Sequence, residues 1–134
     1  MATKAQSYFF GLGRRKSATA RARLSGGKGI VTINGKTAEE YLSANEALIA
    51  EVVQPLVLIG KNKEFDVSLL VSGGGLSGQV DAAKLAIAKA ISVMNDDLRS
   101  TLKKASLLKR DPREKERKKY GLRSARKREQ FSKR

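Results

Sequence analysis

Residues 65–94 read FDVSLLVSGGGLSGQVDAAKLAIAKAISVM, and a change of period inside this stretch decides the fold. Phe65, Val67, Leu69 and Val71 alternate with Asp66, Ser68, Leu70 and Ser72. A period of two is that of a strand with one face buried. Gly73, Gly74, Gly75 and Gly78 then interrupt the pattern. From Gln79 to about Met94 the residues Val80, Ala83, Ile87, Ala90, Ile91 and Met94 share one face of a 3.6-residue helix. A strand, a glycine turn and an amphipathic helix therefore follow one another directly.

Upstream, residues 8–24 (YFFGLGRRKSATARARL) begin with aromatics and then alternate. Ala18, Ala20, Ala22 and Leu24 share one parity, and Ser17, Thr19, Arg21 and Arg23 the other. The pattern predicts a strand whose small apolar face meets the core. Arg21 and Arg23 then project together from the opposite face, about 7 Å apart, close to a phosphate spacing. Arg14, Arg15 and Lys16 lie just before them and favour anion binding over an ordinary solvated face. Gly26-Gly27-Lys28-Gly29 reads as a hairpin turn, Ile30 to Asn34 as the returning strand, and Asn34-Gly35 as a second turn. Thr37-Ala-Glu-Glu40 has capping-box spacing and predicts a short helix from Ala38. Ser43-Ala-Asn-Glu46 repeats that signal and predicts a longer helix to about Gln54, limited by Pro55.

Downstream, a second helix is expected from Asp97 to about Leu107, with Leu98, Leu102 and Ala105 inward. Asp111-Pro112 then separates a body, residues 1–108, from a basic arm, residues 109–134. The order is β-β-α-α-β-α-α-tail, with room for one short extra strand. It lacks strict βαβ alternation, so the expected class is α+β, a small sheet with helices packed on it.

Gly73-x-Gly75-x-x-Gly78 matches the dinucleotide fingerprint and has a strand before it and a helix after it. The rest of that unit is missing. No second strand ending in an acid follows the helix, and no Gly-Lys-Ser/Thr completes a Walker loop. Two readings remain for Gly73, Gly74, Gly75 and Gly78. Their backbone N–H groups can approach a nucleic-acid phosphate at the helix start, or they only shape a tight turn. The adjacent acids Asp96-Asp97 and Glu39-Glu40 stand at helix starts, where they stabilise the helix dipole.

The arm carries thirteen Lys or Arg against four Asp or Glu. Its apolar residues are Tyr120, Leu122, Ala125 and Phe131, too few to offset the entropy of ordering it. Alone it should be an extended, self-repelling strand reaching at most about 85 Å. The arm cations Lys109, Arg110, Arg113, Arg117, Lys118, Lys119, Arg123, Arg126, Lys127 and Arg128, with Tyr120 between them, are candidate nucleic-acid contacts. Arg clamps phosphate through a planar fork and stacks on bases, while Lys acts as a mobile point charge. Ser132-Lys133-Arg134 ends the chain, and a basic terminus can enter a crevice closed to a folded domain.

The whole chain of 134 residues has a formal net charge of +15, beyond the roughly 2 to 8 of an ordinary small domain. Such a charge calls for a polyanion. There is no Cys and no His, which removes disulfides, most zinc sites and the imidazole base. No apolar run reaches the roughly 20 residues of a membrane span, and no signal peptide is expected at the amino terminus. The expected partner is nucleic acid rather than a membrane, with no cofactor, no metal and no catalytic residue. Charge alone does not separate RNA from DNA. A free-standing nucleoid DNA-binding protein is the alternative reading.

GLGRRKSATARARL (11–24), the hairpin ending in ING, QPL (54–56), FDV (65–67), GGGLSGQ (73–79), RDPREKERKKYGL (110–122) and ARKREQFSKR (125–134) together resemble the small-ribosomal-subunit protein nine family in its bacterial and organellar form. The resemblance spans nearly the whole chain, with Leu12 where the common form has Thr. It implies a four-stranded sheet with helices, like the second domain of ribosomal protein S-five. It implies a place in the head of the small subunit, in the cytoplasm or an organelle. The implied partners are 16S-type ribosomal RNA, peptidyl-site tRNA and neighbouring head proteins, without homo-oligomerisation. It also implies that the tail runs through the RNA so that its tip, here Ser132, Lys133 and Arg134, touches the tRNA anticodon stem-loop.

Overall fold

A computed structural model describes residues 8–130. Its elements are β1 (Phe9–Arg15), β2 (Ala18–Gly26), β3 (Val31–Ile33), β4 (Lys36–Thr37), α1 (Ala38–Tyr41), α2 (Glu46–Leu58), β5 (Phe65–Ser72), α3 (Leu76–Met94) and α4 (Arg99–Lys104), with a short 3-10 turn at Asp96–Leu98 before α4. The class is α+β. The strands form one sheet in the order β1-β2-β5-β3-β4, antiparallel except for the β3–β5 pair. The short extra strand is β4, two residues turned back by Asn34-Gly35, both at positive φ.

Residues 8–24 form two strands and not one. Arg15 pairs with Ala18 across a two-residue loop that Lys16 enters at φ 53°. The cationic cluster 14–16 hid this turn, because Lys16 is not a residue that signals a left-handed backbone. The stretch 26–29 is not a hairpin. It crosses the end of β5, so that β5 lies between β2 and β3 and pairs with both. Asp66 makes this crossing. Its Oδ1 accepts the backbone N–H groups of Lys28, Gly29 and Ile30 at 2.9, 3.0 and 2.9 Å. A side chain at Gly27 would collide with that carboxylate.

The core lies between one face of the sheet and the helices. Ala18, Ala20, Ala22 and Leu24 of β2 and Val67, Leu69 and Val71 of β5 are buried there, the parities the alternation predicts. β1 and β2 pack on α3, and α2 lies beside it. The approach of β1 is unusually close. A Cβ at Gly11 would strike the Ala86 carbonyl oxygen, and one at Gly13 the Ala82 carbonyl oxygen. Glycine on the strand facing alanine on the helix lets the two backbones touch.

The predicted face of α3 is buried, with Met94 partly so. α3 begins earlier than the expected Gln79, at Leu76, and Gly75 caps it without a side-chain bond. Thr37 caps α1 as predicted, accepting from the Glu40 N–H. The cap of α2 is Asn45 and not Ser43. Ser43 and Ala44 sit at φ 55° and 57°, and the Ala44 N–H returns to the Glu39 carbonyl at 2.8 Å, closing α1. Pro55 lies inside α2, buried, and the helix continues to Leu58. The helical bond it removes would have gone to the carbonyl of Glu51, an exposed residue that water can serve.

Candidate nucleic-acid interface

The face of the sheet opposite the helices is open. By register, Leu12 of β1 stands opposite Arg21 of β2, and Phe10 opposite Arg23. Arg21 in turn faces Leu70 of β5, and Arg23 faces Ser68. Arg14, Arg21 and Arg23 are exposed, and so are Phe10 and Leu70, at 47% and 48%. Arg21 and Arg23 therefore project side by side, as their spacing predicts. The Arg23 guanidinium lies 5.1 Å from the centre of the Tyr8 ring, a cation–π distance that orients it. Leu70 lies on the outward parity that the alternation of β5 predicts, but the pattern does not single out Phe10 and Leu12, since apolar residues read as core. Gly11 and Gly13 were the available signal. They mark the buried parity of β1 and so turn Phe10 and Leu12 outward.

The glycine loop meets the β1–β2 turn. Gly73 and Gly74 are at φ 74° and 63°, and a side chain at Gly73 would collide with the Ser17 carbonyl oxygen. Gln79 fixes the loop by donating to the Gly73 carbonyl at 3.0 Å while accepting from the Tyr41 hydroxyl at 2.7 Å. These contacts give Gly73 and Gly74 a conformational reason. They also place exposed Lys16 and the start of α3 at Gly75, which no side chain caps, on one rim of the molecule, whereas Gly78 is buried in the first turn of α3 beside Ala18. A shallow depression lined by Arg14, Thr19, Arg21, Leu70 and Ser72 continues that rim onto the open face.

Arg15 stands apart from the other candidates. Its side chain is 14% exposed, with Nε 3.6 Å from Asp81 Oδ2 and a second nitrogen against the Asp111 carboxylate. Arg113 also holds Asp111, with Nη2 at 2.6 Å. The Arg113 guanidinium and N–H, and then Arg15, hold the Asp111 carboxyl well below the usual carboxylate range. Asp111 therefore remains charged and ties the root of the arm to β1. A cavity of about 270 Å³ lies at this root, where Arg14, Lys84 and Lys109 join the Arg15–Asp81–Asp111–Arg113 group.

Beyond the root, Lys109, Arg110, Arg117, Lys118, Lys119, Arg123, Arg126, Lys127 and Arg128 are exposed, and Tyr120 fully so. Glu116 pairs with Lys119 and with Arg126, the latter at 2.8 Å. Leu122 and Arg128 form an isolated antiparallel bridge. Ser132, Lys133 and Arg134 lie outside the described residues. Among the described residues there is no acidic group of metal-binding size, and no helix is long and apolar enough to cross a membrane.

An α+β body with an arginine-bearing open sheet, a cationic rim and a basic arm has the charge distribution that suits a polyanion. Comparison with known proteins makes the class specific. The family described as ribosomal protein S9/S16 matches residues 13–134. The small ribosomal subunit protein uS9 of Prochlorococcus marinus strain MIT 9313 is 50% identical over 126 residues, covering 94% of this chain and 93% of that protein. The protein of the same name from Acaryochloris marina is 50% identical over 124 residues, covering 92% of this chain and 90% of that one. That from Prochlorococcus marinus strain MIT 9215 is 46% identical over 131 residues, covering 98% and 96%. The chain belongs to the ribosomal protein S9/S16 family, a family of structural proteins and not of enzymes.

Proposed function

We propose that this protein is held in the small ribosomal subunit by ribosomal RNA, through two surfaces. One is the open sheet face with Arg14, Arg21 and Arg23, together with the rim of Lys16 and the glycine loop. The other is the arm, residues 109–134, which takes its working shape among phosphates. Its tip, Ser132 to Arg134, contacts peptidyl-site tRNA. The observation that carries the reading is the charge of the open face. Three exposed guanidinium groups stand there beside Phe10 and Leu70, and such a face suits phosphates and unpaired bases together. Arg15 is assigned to anchoring the arm root through Asp111, and not to RNA.

Footprinting of the full chain on small-subunit RNA tests the first surface. Arg14→Ala, Arg21→Ala and Arg23→Ala together should erase part of the footprint without unfolding the body. An unchanged footprint would remove the sheet face from the interface. For the tip, subunits assembled with a chain lacking residues 132–134 should sediment normally and retain peptidyl-site tRNA less well. Unaltered tRNA affinity would end that assignment.

A further inference from the structure

Residues 38–58 hold four Glu and no Lys or Arg, inside a chain of net charge +15. They form α1 and α2. The solvent side of α2 presents Ala47, Ala50, Glu51, Gln54, Val57 and Leu58. An outward helix face is ordinarily polar or charged, yet Val57 is 54% exposed and Leu58 44%. Beside it runs an open groove in which Ile30, itself 56% exposed, meets Ile49 and Val53 of α2 and Glu39 of α1.

We propose that this acidic, apolar face is a protein-docking surface, and that its occupant is a basic protein of the same particle. The occupant inserts an aliphatic or aromatic side chain along Ile30, Val53 and Val57 and sets flanking Lys or Arg against Glu39, Glu46 and Glu51. Charge decides the class of partner. Four carboxylates without one cation repel a phosphate backbone and an anionic membrane alike. The exposed aliphatic groups supply the dry centre that a protein interface needs. The molecule thus carries one cation-free acidic stretch on α1 and α2, with exposed Lys28 and Lys36 next to it in the chain, apart from the arginines of the open sheet and the arm. The inference requires that the protein works inside a ribonucleoprotein particle, but not that any one RNA contact is right.

The test uses assembled small subunits carrying a photo-crosslinking amino acid at Val57, or at Ala50 on the same helix face should the first fail to assemble. A parallel set carries it at Ser68 on the open sheet face. The α2 probe should crosslink to one protein segment that bears an apolar residue flanked by Lys or Arg. Glu39→Lys, Glu46→Lys and Glu51→Lys together should lower that yield about 10-fold, as like charges meet. Crosslinking of α2 to RNA overturns the proposal. So does crosslinking to nothing, or a protein crosslink indifferent to the reversed charges. The Ser68 probe reports the RNA reading separately, so failure of one does not pass for failure of the other.

Discussion

Gly11 and Gly13 set how closely β1 lies on α3, and their effect is local and steep. Each faces a backbone carbonyl of the helix, Ala86 and Ala82, which no rotamer change can move aside. Gly11→Ala or Gly13→Ala should therefore destabilise the protein by about 3 kcal/mol in urea unfolding. Gly26→Ala, with open space around it, should stay within about 0.5 kcal/mol. Asp66 is the other decisive residue. The N–H groups of Ile30, Lys28 and Gly29 lower its pKa below 3.8, so it is charged in the folded protein wherever an unfolded Asp would be. A lowered folded pKa means that this contribution to stability is complete above pH 3.8. It is lost as pH falls through the lower folded value. The amide resonances of Lys28, Gly29 and Ile30 should titrate together below pH 3.8, and Asp66→Ala should abolish that joint movement. Independent titration of the three amides would show that one carboxylate does not hold the loop.

Among the elements, α2 shows how far local signals reach. Ser43 and Asn45 both offer a capping side chain, and Ser43 has the better box with Glu46. The choice falls to Asn45 because residues 43 and 44 are held in the left-handed region while α1 closes. Its Oδ1 accepts from the Ala47 and Leu48 N–H groups at 3.2 and 3.4 Å. Asn45→Ala should cost about 1 kcal/mol in thermal or urea unfolding, whereas Ser43→Ala should be neutral within about 0.5 kcal/mol. Equal losses would return the cap to Ser43. Thr37 and β5 needed no such arbitration, since their signals were local and uncontested, whereas α3 starts at Leu76, ahead of the expected Gln79. Sheet order was different. The loop 26–29 carries a hairpin's residues, but its path depends on a carboxylate nearly forty positions away, and no windowed pattern contains that bond.

For the molecule as a whole, the measurable consequence of the charge distribution is salt dependence. If the arm tracks an RNA backbone, each phosphate contact adds about 0.7 to 0.9 to the slope of log affinity against log salt. Arg117→Ala, Lys118→Ala and Lys119→Ala together should then flatten that slope by about 2 to 3, with little change in unfolding of the body. An unchanged slope would mean that these cations meet water and not phosphate. Composition, the strand at 65–72, the helix after it and the basic arm could all be read from the chain alone. Each depends on neighbours in sequence or on summed charge. So could the candidate cations, but not their division of labour. Arg14, Arg15 and Lys16 look alike in the chain. Folding turns Arg14 to the open sheet face, half-buries Arg15 against Asp81 and Asp111, and bends the backbone at Lys16. The tertiary structure alone decided that β5 lies between β2 and β3, that Gly11 and Gly13 seat a strand on a helix, and that Ile30 meets Ile49 and Val53 beside the acids of α1. These features depend on pairs of groups distant along the chain, and only their meeting in space selects one arrangement among those the local preferences allow.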